Sequence, residues 1–409
     1  MSVMAGLRSG MRSNRATRTA MRDYDLLLVC AVGALLIFGL IMVYSASIAL
    51  ADGPKFVNAN RFSFFNRHLV FIVAGLCVAF LVCQVPMQFW EKKALVIYIV
   101  GVVLLVLVLV PFIGRQVNGA YRWIPLGPIN FQPSEFMKVA MVIFAAYYTV
   151  RKQQSMHQLK GVIPITLGFL GLVVLLLLKE PDLGAALVIV CIVLGIIFLG
   201  GASMKLFIGM LLAAVVGFVA LIVATPWRMQ RIFAYLDPFS EEHAQSIGYQ
   251  LSHSLIAIGR GEFFGVGLGF SIEKLHYLPE AHTDFIMAVV GEELGFVGIL
   301  AVIVLFIIIV RKGLDIGRQA IAMDREFNGL VAQGIAVWFG TQSFVNLGVC
   351  LGLLPTKGLT LPLVSYGGSA LVMNLVAVAL LMRVDFENRK MMRGQNEQAY
   401  RGNSINEYA

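Results

Sequence analysis

The chain has 409 residues, of which 59% are hydrophobic and only 13% charged, with a mean hydropathy of +0.82. That excludes a soluble globular domain, which carries about twice as much charge. The net charge of +9 would suggest a nucleic-acid partner in a soluble protein, but here the basic residues flank apolar runs, where membrane orientation accounts for them and no nucleic acid is expected.

Residues 1–23 carry Arg8, Arg12, Arg15, Arg18 and Arg22 against a lone Asp23, a basic tail that the positive-inside rule places in the cytoplasm. No cleavable signal peptide is expected, because the first apolar run is too long and lacks a small-residue cleavage pattern. Ten apolar runs follow, near 25–50, 68–86, 93–113, 133–150, 161–179, 183–200, 204–225, 284–310, 328–352 and 366–383. Each is long enough to cross a bilayer as a helix. The expected fold is therefore an all-α polytopic membrane protein of ten helices. It comprises the basic tail 1–23, a membrane domain 24–383 with a large outer loop at 226–283, and a tail 384–409, both termini cytoplasmic. The five cysteines, Cys30, Cys77, Cys83, Cys191 and Cys350, lie in or beside apolar runs without paired loop spacing, as small core residues do, and not as disulfides, metal ligands or nucleophiles.

This threading places Glu91, Lys92, Lys93, Arg151, Lys152, Lys160, Lys205, Lys312, Arg318 and Arg325 inside, where the rule wants them. Arg61, Arg67, Arg115 and Arg122 fall outside, and orientation gives them no use. The outer side also carries most of the unusual polar sequence: Gly114 to Gln132, the turn from Lys179 to Gly184, residues 226–283, and Gly352 to Ser365. Function is expected there. The loop 226–283 is too long for a mere connector. Within it Ile247, Leu251, Leu255 and Ile258 recur at helical spacing and predict a helix along the membrane face. Gly259-Arg260-Gly261 and Gly265-Val266-Gly267-Leu268-Gly269 match neither a Walker loop nor a dinucleotide fingerprint; those glycines are expected to permit tight turns and close backbone approach. HExxH, CxxC and GxSxG are absent.

The loop ends in Tyr277-Leu278-Pro279-Glu280-Ala281-His282-Thr283-Asp284-Phe285-Ile286, which puts a carboxylate at a membrane face. Thr283 is expected as the N-cap of the next helix, with Asp284 in its first turn. The residues alone leave Asp284 between a helix-start stabiliser and a functional carboxylate, Asp182 between cap and site, and His282 between orienting Asp284 and capping the loop. The helix dipole would lower the Asp284 pKa and burial would raise it, so a base working near neutrality requires burial to prevail. Glu135 and Lys138, three apart, read as a local ion pair or a ligand contact. Glu292 and Glu293 read as structural hydrogen-bonding groups despite the functional default for intramembrane carboxylates. Trp123 and Tyr121 read as interfacial anchors or ring-stacking groups, not catalysts.

Six outward segments carry a resemblance: Asn118-Gly119-Ala120-Tyr121-Arg122-Trp123-Ile124, Gln132-Pro133-Ser134-Glu135, Pro181-Asp182-Leu183-Gly184, Gly248-Tyr249-Gln250-Leu251, Leu278 to Phe285, and Leu361-Pro362-Leu363-Val364-Ser365-Tyr366-Gly367-Gly368-Ser369. In kind and order, across nearly the whole chain, they resemble the SEDS family (shape, elongation, division and sporulation). Gly259-Arg260-Gly261 and Ala281 look more like its division branch than its elongation branch. Glu180 stands where the family usually has Gln, His253 where Gln is expected, and Met287 where Phe is common; Glu180 adds a charge beside Asp182.

The resemblance implies a peptidoglycan glycosyltransferase that polymerises lipid II, an undecaprenyl-pyrophosphate-linked disaccharide-pentapeptide, during septal wall synthesis on the outer face of a bacterial inner membrane. It makes Asp284 the catalytic carboxylate. A sugar hydroxyl attacking an anomeric carbon that bears a pyrophosphate needs one base, whereas a glycosidase, with its poorer leaving group, needs two carboxyls. The outer cations Arg115, Arg122 and Lys357, with Arg260 as a weaker candidate, would stabilise the leaving pyrophosphate. Glu280, His282, Thr283, Asp182, Glu135, Lys138 and Ser365 would support the site. No organic cofactor is expected; a divalent cation, Mg or Mn, is left open. The implied partners are lipid II, membrane lipid, a class B penicillin-binding protein supplying transpeptidase activity, and other division proteins. The rival readings are a lipid II flippase, which would spread charge along a path through the membrane, and a non-catalytic scaffold, which would have little need for cations around Asp284.

Overall fold

A computed structural model describes residues 23–49, 62–117, 119–127 and 129–394. The tail of residues 1–22, Arg61, Asn118 and the C-terminal residues from 395 lie outside the described residues.

Backbone in hydrocarbon can satisfy its hydrogen bonds only within its own segment, so the apolar runs close into helices. These are α1 (Leu26–Ser47), α2 (Ser63–Gln84), α3 (Met87–Leu109), α4 (Pro133–Arg151), α5 (Leu159–Lys179), α6 (Leu183–Leu199), α7 (Met204–Val223), α10 (Ile286–Ile321), α11 (Glu326–Cys350) and α12 (Gly368–Met392). Seven are long and apolar enough to cross a membrane. The exceptions are α6, which has only 17 residues, and α4 and α11, which carry polar residues such as Glu135, Lys138, Gln333, Gln342 and Asn346. α11 lies centrally, packed on α10, α6, α4 and α12; Trp338 and Phe339 are fully buried there. α7 has no buried residue and stands at the edge.

Two helices cross the large loop, α8 (Pro226–Leu236) and α9 (Tyr249–Gly261), the second where the spacing of Ile247 to Ile258 predicts one. The all-α expectation needs one addition. β1 (Arg115–Val117), β2 (Ala120–Leu126) and β3 (Ile129–Phe131) form a small antiparallel sheet. Gly119 and Gly127, at φ +79° and +65°, lie between its strands, where tight hairpin turns need a left-handed residue.

Three boundaries differ from expectation. α10 begins at Ile286, so Asp284 precedes the helix, and Phe285 occupies the cap position without a side-chain bond. Thr283 is not the cap because residues 280–285 fold into a turn on the Glu280 carbonyl, which accepts from Thr283 N at 3.1 Å and Phe285 N at 3.2 Å. The Thr283 hydroxyl then goes to the Glu280 carboxylate at 2.7 Å. α10 and α12 also run to Ile321 and Met392, past the predicted ends at 310 and 383, because polar ends of a helix can extend into water.

α10 is broken at Gly295, φ +66°. The chain after α9 is stitched into the break: Val266 N and Gly267 N donate to Glu292 O and Glu293 O at 2.9 and 3.0 Å, while Phe296 N donates to Glu262 O at 2.9 Å. A Cβ on Gly261 would stand 1.8 Å from Gly291 O, and one on Gly265 2.2 Å from Glu293 O. The glycines thus serve close backbone approach. Glu292 and Glu293 secure the same seam. Glu292 accepts from Arg260 at 2.6 Å and Ile272 N at 2.9 Å, and Glu293 from Lys274 at 2.6 Å and Ser45 at 2.7 Å. At the opposite end of the bundle, Asp25, Lys312, Asp385 and Arg389 pair with one another, as do Glu387, Arg325 and Arg383.

Candidate active site

The segment bearing Asp284 is held by its backbone. Asn346, on α11, donates to Asp284 O at 2.8 Å and to Leu359 O at 2.6 Å. Ser365 donates to Thr283 O at 2.6 Å and accepts from Leu361 N at 2.8 Å, and Tyr366 N donates to His282 O at 3.0 Å. The start of α10, the interior of α11 and the loop before α12 are therefore one rigid unit. The Asp284 carboxylate takes no part in this fastening. It is half-buried, and burial first, then the Glu280 and Asp182 charges, push its pKa up to about 7 against the pull of Arg122. Burial prevails over the dipole, helped by the position of Asp284 ahead of the helix.

Arg122 comes from β2 and reaches the turn between α5 and α6. Its Nε donates to Glu180 O at 3.1 Å, and its Nη2 donates to Pro181 O. Asp182 in that turn caps α6: Oδ1 accepts from Ala185 N at 3.1 Å, and Oδ2 accepts from Ser134 at 3.2 Å and Gln132 at 3.4 Å. Its oxygens are engaged, so it reaches Asp284 only through its field.

Lys357, half-buried in the loop before α12, lies 5.7 Å from the ring centre of Phe218 on α7. Burial, then the charges of Arg228 and Arg231, depress its pKa to about 8. Both arginines belong to α8 and stand over the Trp227 ring at 5.0 and 5.3 Å; Arg231 in turn feels Arg122. Among the described residues none of these four cations pairs with a carboxylate. Like charges gathered without counter-ions form a place for an anion. Arg228 and Arg231 are not among the residues the sequence singled out, although two arginines three apart directly after a tryptophan were signal enough.

The other candidates divide. Arg115 is exposed on β1 and is not among the charges that act on Asp284, Lys357 or Arg231. Arg260 is paired with Glu292, so neither joins the cation group. Glu135 and Lys138 form a buried ion pair of 2.8 Å; Lys138 also donates to Gln342, whose amide donates to Thr360 O at 2.8 Å. That pair braces the loop from below. The His282 ring packs on Phe64 and Tyr366 at 5.0 and 5.5 Å, and burial lowers its pKa against the Glu280 charge; among the described residues it packs on these rings and makes no hydrogen bond to Asp284. Among the described residues, no three His, Cys, Asp or Glu converge to hold a metal ion.

Fold and site together define a polytopic membrane protein with a titratable carboxylate and a cluster of cations at one end of its bundle. The chain belongs to the FtsW, RodA and SpoVE family, described as cell cycle protein, whose sequence profile matches residues 25–390. It is 65% identical over 357 residues to the probable peptidoglycan glycosyltransferase FtsW of Taylorella equigenitalis (strain MCE9), covering 87% of this chain and 97% of that one. It is 56% identical to the protein of the same name from Burkholderia thailandensis, covering 96% and 85% of the two chains. A chain from a structure titled "Structural coordination of polymerization and crosslinking by a peptidoglycan synthase complex" aligns with a TM-score of 0.72 at 30% identity, over 89% of this chain and 98% of that one. An aspartate-to-alanine mutant of the Thermus thermophilus rod shape determining protein RodA aligns with a TM-score of 0.63 at 30% identity, over 88% and 97%.

Proposed function

We propose that the protein is a peptidoglycan glycosyltransferase that polymerises lipid II into glycan strands at the division septum. Asp284 takes the proton of the acceptor hydroxyl as that oxygen attacks the anomeric carbon of the donor. The new glycosidic C–O bond forms, the bond to the lipid diphosphate breaks, and the diphosphate leaves with the electron pair onto Arg122, Arg228, Arg231 and Lys357. The observation that carries this is a half-buried carboxylate with a pKa of about 7 in the field of Arg122, which belongs with Arg231, Arg228 and Lys357 to a group of cations without carboxylate partners. A base must be ionised yet basic at working pH, and preorganised cations stabilise a charge that appears only as the bond breaks.

Asp284 faces the outside of the inner membrane in this reading, and both termini face the cytoplasm. A class B penicillin-binding protein is the proposed partner, in keeping with a relative in a synthase complex that couples polymerisation to crosslinking. Asp182 is committed to capping, so Asp284 would be the carboxylate that holds a divalent ion, Mg or Mn, and the ion would supply charge stabilisation to the leaving diphosphate. The flippase reading is disfavoured because the cations that act on one another, Arg122, Arg228, Arg231 and Lys357, gather at the end of the bundle that holds Asp284.

The test is polymerisation of labelled lipid II by purified protein, with and without its penicillin-binding partner, for wild type and Asp284→Ala. Glycan ladders from the first and none from a folded, partner-bound second support the transferase. Normal polymer from Asp284→Ala reduces Asp284 to a loop residue. Movement of lipid II between leaflets without polymer hands the function to a transporter.

A further inference from the structure

Glu180 closes α5 at the turn that Arg122 grips, and its surroundings are unlike those of any other acid near the site. It is fully buried, and neither carboxyl oxygen has a hydrogen-bond partner. Asp182, two residues on, is by contrast saturated with donors. Yet Arg122 donates to the Glu180 and Pro181 backbone carbonyls and forms no ion pair with the Glu180 carboxyl. A fully buried carboxylate without a donor is not sustained in its ionised form beside an available guanidinium. Glu180 therefore keeps its proton, in agreement with the pKa of about 9 that burial and then the Asp182 charge produce against Arg122. The charges acting on it are Asp182 from its own turn and Arg122 from β2; Lys179 beside it is exposed.

Arg122 spends two of its five N–H donors on neutral carbonyls, so its whole positive charge remains free. We infer that Glu180 is a positioning residue for Arg122: as a neutral acid it leaves the guanidinium available to a lipid-linked diphosphate, and on ionising it draws Arg122 into an internal ion pair and withdraws it from that ligand. This rests on reading the site as one for a diphosphate-bearing lipid.

The experiment measures binding of undecaprenyl diphosphate to the full chain in nanodiscs between pH 7 and 10, for wild type, Glu180→Gln, Arg122→Gln, the double variant and Asp284→Ala, with difference infrared spectra of the first two. At pH 7 wild type and Glu180→Gln bind within about twofold of each other, since Gln mimics the neutral acid. Toward pH 10 wild type weakens by about tenfold for each unit above the Glu180 pKa, beyond the shared loss from Lys357, and Glu180→Gln does not show that excess. On the Arg122→Gln background the Glu180 substitution changes nothing. A protonated-carboxyl band present in wild type at pH 7 is missing in Glu180→Gln. Superimposable pH profiles, an unchanged infrared band, or an equal effect without Arg122 overturn the inference. Asp284→Ala separates the two readings through polymerisation: a variant that still makes polymer would sink the base, while the Glu180-dependent difference between the pH profiles would stand.

Discussion

Gly358 lies so close to Asp284 that a Cβ built on it would stand 2.9 Å from Oδ2. The loop before α12 is thus one wall of the carboxylate's surroundings, and its distance is fixed from behind by Asn346, which holds Asp284 O and Leu359 O together. Contact that tight is not found for real Cβ atoms, so a side chain at 358 must displace the carboxylate or the loop.

Gly358→Ala is accordingly expected to lower the polymerisation rate by up to about 100-fold, the scale of a misplacement near 1 Å. Thermal unfolding should shift little, because Gly358 is exposed. Paired rate and unfolding measurements check this; an unchanged rate would mean that Asp284 is not held where the chemistry occurs.

The pH profile should be a bell. Asp284 acts only when ionised, so the rate rises about tenfold per unit up to about pH 7. Lys357 helps only when charged, so the rate falls above about pH 8, and Lys357→Arg should move that alkaline limb upward. Stability carries the matching sign. The folded chain retains on Asp284 a proton that the unfolded chain releases near pH 4, so this contribution is full below about pH 4 and fades as pH rises to about 7. Asp284→Asn should flatten that slope in unfolding midpoints between pH 4 and 7.

Removing one side of the buried pair in the seam should be costly. Lys274→Met leaves the Glu293 carboxylate buried with Ser45 alone, a loss of about 3–5 kcal/mol. Lys274→Met with Glu293→Leu should recover most of it, since no charge is then stranded. Denaturation of both variants in the same detergent decides the matter.

The cation assignment separates arginines that look alike in sequence. Arg228→Gln and Arg231→Gln should each raise KM for lipid II about tenfold, roughly one charge-assisted contact. Arg115→Gln should change neither KM nor kcat by more than about twofold, and Arg260→Gln should lower stability instead, because it strands Glu292. Steady-state kinetics on the four variants would expose any exchange of roles.

The sequence by itself determined the helices. They follow from a local constraint, because hydrocarbon forces apolar runs into helices. It also placed the carboxylate at Asp284 and foresaw that the glycines after α9 admit close backbone. The tertiary structure decided what each polar group is for. Thr283 looked like a cap until the 280–285 turn gave its hydroxyl to Glu280. Asp182 caps α6 through Ala185 N, three residues on, but its other oxygen is taken up by Gln132 and Ser134, some fifty residues earlier. Arg260 was lost to Glu292, while Arg228 and Arg231 were gained beside Lys357. A charge's role depends on which opposite or like charge stands within a few ångströms, and in a helical bundle that neighbour comes from a distant helix whose rotation and depth no local pattern encodes. The near-neutral pKa of Asp284 is the same case, since it is set by burial against a loop seventy residues away.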